Sequence, residues 1–184
     1  LSVTLTGCTA GNSIVFAHIG YGSAVTITSI SCTGESNLSA CGSLNRSSSS
    51  SLQSQFYRLD NITASGDKTL TITISAGLLS HAIWAAEFSG GDTSSFYDTS
   101  VWAQNPTPGT PSTNPTLNIS PANNNSLIVS LTTNDRAIPS AGTSGYTTFT
   151  TSASYLVNLN EYNVDVGAAG SKTTDYTCAS SLWI

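Results

Sequence analysis

Apolar and hydroxyl side chains alternate along much of the chain. Ser2–Thr6, Ala24–Ile30 and Thr69–Ser75 carry aliphatic residues at every second position, with Ser or Thr between them. A period of two with β-branched residues is typical of antiparallel strands buried on one face. Similar patterns or short apolar runs predict further strands at Ser13–Ile19, Gln55–Leu59, His81–Phe88, Thr116–Ile119, Leu127–Thr132, Tyr146–Thr150, Tyr155–Val166 and Thr173–Ile184. No window shows an amphipathic helical stripe, so the pattern predicts an all-β chain.

Short runs of Gly, Asn, Ser and Asp separate these strands. About eleven strands with short turns predict one domain over residues 1–184, an antiparallel two-sheet β-sandwich of jelly-roll type. Leu44–Leu52 contains five consecutive serines and is expected to be a solvated loop, with a flexible tether as the alternative. Asn105–Pro115 holds four of the six prolines. It is expected to be a stiff extended crossover within the domain rather than an interdomain linker.

The strand pattern begins at the first residue, which gives the N-terminal segment two interpretations. In one, Leu1–Thr6, with Leu1, Val3 and Leu5 on its apolar face, adds to the sheet of a neighbouring copy and joins copies head to tail. In the other, which β-sandwich topology favours, the segment pairs within its own sheet.

Charge is scarce, and this excludes several partners. Charged residues make up 8% of the chain, against about 25% in an average domain. Five Lys and Arg in a chain of net charge −5 cannot form the basic face that nucleic acid requires. No apolar run reaches the roughly 18 residues of a spanning helix, so membrane insertion is not expected. The 58 Ser and Thr residues must supply solubility instead.

Four cysteines in such a polar chain favour an oxidising, extracellular location. Of the three possible pairings, we favour one in which Cys32–Cys41 closes a short loop and Cys8–Cys178 joins the first and last strand regions. The second bridge would contribute about 4–5 kcal/mol in the chain-entropy model. No close Cys-x-x-Cys pair occurs, so a zinc site is not predicted.

Asn-x-Ser/Thr motifs make surface glycosylation a hypothesis, provided that the chain follows a secretory route. The five acceptor positions are Asn37, Asn45, Asn61, Asn118 and Asn124.

Catalytic chemistry has few candidate residues. His81 and Glu87 share one strand face but lie about 20 Å apart at ~3.3 Å per residue, too far to act together. Glu87 is expected to be a partly buried carboxylate paired with Arg58, Arg136 or loop amides, and a hydrolase using Glu87 is the least favoured function. Asp92 and Asp98 in the following loop are sparse candidates for a second carboxylate or for calcium.

No Gly-x-Ser-x-Gly nucleophile motif occurs, and the two histidines, His18 and His81, lie in apolar strands where satisfied core positions are expected. We therefore expect neither catalysis nor a cofactor. Sugar binding is the stronger competitor, because Trp102 and Tyr97 fall in or near loops where aromatic rings can stack on pyranose faces.

Several short motifs resemble a family of secreted bacterial β-sandwich domains, jelly-roll or Ig-like, that occur as modules in large extracellular adhesive proteins. These motifs are Thr9–Val15, Val25–Thr33, Gly66–Thr73, Ala85–Gly90, Glu161–Tyr162 and Gly167–Gly170. The resemblance covers most of the chain and implies a jelly-roll-like sandwich without catalysis; the four cysteines depart from it. The chain is also similar to β-sandwich subunits of extracellular fibrils from environmental samples, whose end strands link successive subunits, which would give Leu1–Thr6 the assembly role.

The leading hypothesis is a non-enzymatic, extracellular structural protein that forms a pilus-like or adhesive fibril with copies of itself through β-strand addition. The alternative is a carbohydrate-binding, lectin-like module of a secreted bacterial protein, with glycans as partners.

Overall fold

The computed structural model describes residues 1–22, 26–46, 52–75, 80–92, 96–97, 116–134, 142–153 and 156–177. They form twelve strands: β1 (Ser2–Cys8), β2 (Ser13–Tyr21), β3 (Ile27–Cys32), β4 (Leu38–Arg46), β5 (Leu52–Leu59), β6 (Gly66–Ile74), β7 (Ser80–Phe88), β8 (Thr116–Ile119), β9 (Ile128–Asn134), β10 (Thr147–Ala153), β11 (Leu156–Asn163) and β12 (Lys172–Asp175). All pairings between these strands are antiparallel. The all-β, antiparallel prediction is confirmed. Within the described part of the chain, no helix has the length and apolar character of a membrane span.

Strand β4 was not predicted from the sequence. Gly42 interrupts the alternation with a positive φ of 65°, and the pairing of β4 with β5 shifts register between Cys41 and Asn45. The predicted loop Leu44–Leu52 is therefore partly wrong, because its first residues belong to β4 and Leu52 begins β5. Residues 47–51, between those two strands, lie outside the described residues.

The described strands hydrogen-bond in four sheets, where the sequence predicts one pair of facing sheets. Their orders are β1-β6-β3, β4-β5-β2-β7, β10-β11-β9 and β12-β8. We call the first of these the hydroxyl sheet, because Ser and Thr alternate along its strands.

Strand β2 lies between two hydrophobic cores. Ile14 and Phe16 point to one side, where they pack with Leu70 and other residues of the hydroxyl sheet. Val15, Ala17 and Ile19 point to the other side, into a core shared with β7 and with the sheet β10-β11-β9. A strand covered on both faces carries an uninterrupted apolar run rather than an alternation. This explains why every residue of β2 except Tyr21 is buried.

Strand β11 also has side chains on two covered faces. Tyr162 packs edge-to-face on Phe88, with ring centroids 5.4 Å apart, whereas Leu159 on the opposite face packs with Tyr176. Tyr176 directly follows β12, so the C-terminal end of the described chain covers this sheet from outside.

A buried carboxylate holds that outer layer. Glu161 on β11 is fully buried and accepts hydrogen bonds from Ser130 Oγ (2.9 Å), Thr143 N (2.7 Å) and Thr143 Oγ1 (2.6 Å). Ser130 Oγ also bonds the hydroxyl of Tyr176. Burial, followed by the charge of Glu161, raises the pKa of Tyr176 well above its ordinary value, so this phenol stays protonated as a donor.

Candidate functional site

The N-terminal segment pairs within its own chain. The amino group of Leu1 donates to Ile72 O (2.9 Å), and Leu1 O accepts from Ile72 N (2.8 Å). Val3 and Leu5 pack against the core beneath the hydroxyl sheet. Of the two interpretations of Leu1–Thr6, pairing within its own sheet is the one present in this single chain.

Strands β1 and β3 are the two edges of the hydroxyl sheet, since β6 lies between them. Hydrogen-bonded and non-hydrogen-bonded pairs alternate along antiparallel strands. Because Leu1 exchanges both bonds with Ile72, the backbone groups of Ser2 and Thr4 point away from β6. Among the described residues, no strand covers this outer edge.

Neither edge strand contains a charged residue or a proline. Natural edge strands are usually protected by charge, proline or bulges, because bare edges pair with other chains. Register irregularities occur here at one end of each strand, between Leu5 and Cys8 in β1 and between Ile27 and Ser29 in β3. They leave Ser2–Leu5 and Ser29–Cys32 in regular pairing.

Hydroxyl groups cover the outer face of this sheet. Ser2 Oγ and Thr71 Oγ1 lie 3.0 Å apart, and Thr4 Oγ1 and Thr69 Oγ1 lie 2.9 Å apart. The three strands contain only two charged residues, both on the central strand β6: Asp67, at its exposed end, and Lys68, which is buried. The outer face is therefore polar but nearly uncharged.

Lys68 faces inward to an ion pair that the sequence analysis missed. Its Nζ lies 2.6 Å from Glu35 Oε1, and the two side chains are 5% and 0% exposed. Glu35 also accepts bonds from Thr63 N (3.0 Å) and Thr63 Oγ1 (2.9 Å). Burial alone raises the pKa of the Glu35 carboxyl, but the hydrogen bonds from Lys68 and Thr63 outweigh it and hold the pKa below its ordinary value.

A cavity of about 380 Å³ lies between the edge strand β3 and strand β5. Its walls are residues 26–30, Gln55 and Tyr57. No charged residue lines it, and Ile27 and Ile30 contribute apolar surface to one wall.

His18 and His81 belong to one polar cluster, in which His18 is fully buried and His81 is half-buried, so the predicted core position of His81 is not reached. Gly20 on β2 pairs with Gln53 of β5 on one side and with His81 of β7 on the other. Because glycine has no side chain, none lies between Gln53 and His81. His18 lies two residues before Gly20, on the same face of β2. Neither ring nitrogen of His18 has a hydrogen-bond partner among the described residues, nor do Gln53 Nε2 and His81 Nδ1. The predicted core position of His18 is confirmed, but the prediction that it is satisfied is wrong. Burial, helped by His81 and the amino terminus, lowers the pKa of His18 to about 4.

Glu87 accepts hydrogen bonds from amide groups of the loop between β1 and β2, as expected from the sequence. Its Oε1 accepts from Thr9 N (2.8 Å) and Asn12 Nδ2 (2.6 Å). Arg58 is not its partner, because the Arg58 guanidinium bonds Asp60 Oδ1 at 2.6 Å. Arg136 and Asp98 lie outside the described residues, and Asp92 is exposed.

The predicted Cys32–Cys41 bridge is wrong. Cys32 faces the core under the hydroxyl sheet, whereas Cys41 lies on β4 opposite Phe56, whose ring packs in the core on the other side of the four-stranded sheet. Side chains that point into different cores cannot meet the distance limits of a disulfide. Both thiols are free. Cys178, the predicted partner of Cys8, lies outside the described residues, so the Cys8–Cys178 pairing stays a prediction.

Of the two aromatic residues predicted to contact sugar, Tyr97 lies among the described residues. The guanidinium of Arg58 covers one face of the Tyr97 ring, 4.3 Å from its centroid. Trp102 lies outside the described residues, as does the Asn105–Pro115 segment.

The glycosylation motifs lie in different settings. Asn37, Asn118 and Asn124 are exposed, and Asn61 is half-buried. Asn45 lies on β4. Glycosylation at these positions stays a prediction.

No group of three or more His, Cys, Asp or Glu side chains is arranged to hold a metal ion in the part of the chain that the structure describes. Comparison with protein-family models, with curated proteins and with solved structures finds no match to this chain.

Proposed function

We propose that this chain is a non-enzymatic structural subunit that assembles with copies of itself into an extracellular fibril, by pairing edge strand β1 of one copy with edge strand β3 of the next. The observation that carries the proposal is that both edges of the hydroxyl sheet lack charge and proline. Each also keeps a regular stretch of backbone for a further strand. The extracellular setting is proposed from composition, a polar chain with few charged residues and four cysteines.

The topology gives this junction a defined geometry. Strands β1 and β3 are both antiparallel to β6 and are therefore parallel to each other. If copies are related mainly by translation, β1 of one copy meets β3 of the next in a parallel pair. Such a contact joins two different surfaces, so it leaves a free edge at each end and builds an open filament rather than a closed dimer.

The charge distribution supports the same contact. The outer face beside both edges carries hydroxyl groups, and Lys68 on the central strand is neutralised by Glu35 inside the protein. Copies that meet along these edges bring little like charge together, whereas exposed lysines on an edge strand normally oppose such pairing. Backbone hydrogen bonds would supply the specificity of the junction.

The test is assembly of the purified full chain, followed by electron microscopy and analytical ultracentrifugation. Thr4→Pro removes an N–H that points away from β6, so we expect it to leave the fold intact and abolish fibrils. Thr4→Val keeps that N–H and the β-branched shape, and we expect it to form fibrils like the unaltered chain. Monodisperse monomers from the unaltered chain, or fibrils from Thr4→Pro, would contradict the proposal.

A further inference from the structure

The cavity between β3 and β5 is open to solvent and has the volume of a small-molecule site. Its volume of about 380 Å³ falls within the range of roughly 300–1,000 Å³ typical of ligand pockets. Residues 26–30 form one wall, where Ile27 and Ile30 supply apolar surface and the Thr28 hydroxyl is already bonded to Thr73 O (3.1 Å). A lining without charged residues, more apolar than polar, suits an uncharged ligand that carries both C–H surface and hydroxyl groups.

Tyr57 supplies a buried polar group at the opposite wall. The residue is 4% exposed, and its ring packs on Phe16 with centroids 5.0 Å apart. Its hydroxyl makes no hydrogen bond to any residue that the structure describes. The hydroxyl oxygen itself is not fully enclosed by protein atoms. The phenol is therefore held rigidly, with its hydroxyl available to the cavity, and burial raises its pKa so that it remains a donor.

Gln55 is held in place by the neighbouring strand. Its Nε2 donates to Cys41 O (2.9 Å) and to Phe56 O (3.1 Å), next to the register shift in β4. An amide whose nitrogen is bound in this way presents its Oε1 in a fixed direction. The cavity wall thus contains two polar side chains held in place, the amide of Gln55 and the phenol of Tyr57.

We propose that this cavity binds one sugar residue, with Tyr57 and Gln55 bonding sugar hydroxyls and Ile27 or Ile30 contacting the C–H surface of the ring. The site differs from the Trp102 and Tyr97 platform expected from the sequence. The cavity wall includes β3, which is also one edge of the proposed junction, but sugar binding by a single copy tests the cavity separately from fibril formation.

Saturation-transfer and ¹H–¹⁵N NMR titrations with glucose, galactose, mannose and N-acetylglucosamine test this proposal, with short oligomers of each as a second arm. We expect saturable binding of at least one sugar, with shifts concentrated at residues 26–30 and at Tyr57. Tyr57→Phe deletes only the hydroxyl and should weaken binding about threefold to tenfold, as for a lost hydrogen bond. Tyr97→Phe serves as the control and should bind like the unaltered chain.

Thr26→Val gives a second, exposed variant in the cavity wall that does not disturb the core, and it should also weaken binding. Tighter binding of oligomers than of monomers would identify a glycan chain as the source of the sugar, and equal binding a free sugar. Absence of saturable binding in both arms, or unchanged binding in both Tyr57→Phe and Thr26→Val, would overturn the proposal. Loss of binding in Tyr97→Phe would overturn it as well.

Discussion

Lys68 Nζ lies 2.6 Å from Glu35 Oε1, and this pair joins the loop after β3 to the middle strand of the hydroxyl sheet. The pair is buried on the inner side of that sheet, while the outer side carries hydroxyl groups. Strand β6, in the middle of the proposed assembly surface, therefore directs Lys68 away from that surface.

Removal of one partner of this pair should be costly. In Lys68→Met, Glu35 remains buried without its cation, and we expect a loss of about 3–5 kcal/mol in the free energy of unfolding. The double variant Lys68→Met with Glu35→Leu should recover most of that loss, because no buried charge remains. Urea unfolding measures both, with Asp60→Asn as the control. The Arg58–Asp60 pair is more exposed, so its loss should cost less than about 1 kcal/mol.

Acid should destabilise the protein through His18. Its pKa is about 4 in the folded chain against 6.5 ordinarily, so between these values the unfolded chain binds a proton that the folded chain does not. Neutral His18 thus contributes about 3 kcal/mol to the free energy of unfolding. This contribution is complete above pH 6.5 and is lost as the pH falls to 4.

Chemical unfolding at a series of pH values checks this expectation. His18→Leu should flatten the stability profile in that pH window. His81→Leu should change the profile less, because His81 is only half-buried. An unchanged slope in His18→Leu would show that other groups cause the acid sensitivity.

Gly142 should be intolerant of alanine for a steric reason. A Cβ at this position would lie 2.5 Å from Glu161 Oε2 and 2.9 Å from Thr148 Cγ2. We expect Gly142→Ala to cost about 1–3 kcal/mol. In a Glu161→Ala background the added cost should fall, because the obstructing carboxylate is gone. Gly145→Ala is the comparison: it has open space but a φ of +84°, so its cost should not depend on Glu161.

Cysteine mapping should find no Cys32–Cys41 bridge. Burial raises the pKa of the Cys41 thiol to about 11 and also raises that of Cys32, so both should resist alkylation in the folded protein at pH 8. Both should react after unfolding without reductant, as measured by mass spectrometry of the peptides. A linked Cys32–Cys41 peptide would contradict the register of β4. A linked Cys8–Cys178 peptide would confirm the remaining pairing.

The sequence by itself determined the local structure wherever one side of a strand meets water. Residues 69–75 alternate because β6 has a hydroxyl face outside and Leu70 and Ile72 inside, and the predicted strand agrees with β6. Strand β8 was predicted with its observed bounds. Strand β4 escaped prediction because Gly42 and the register shift interrupt its period.

Only the tertiary structure decided which faces are covered and which residues meet. The apolar run of β2 predicts a strand, but its two covered faces come from two other sheets far along the chain. The pairing of Glu35 with Lys68 and the separation of Cys32 from Cys41 depend on the same stacking of sheets. The periodicity of the sequence indicates whether a side chain is buried, because burial depends on the local direction of that side chain. It does not indicate which residue packs against that side chain, because this depends on pairing between strands that are distant in sequence.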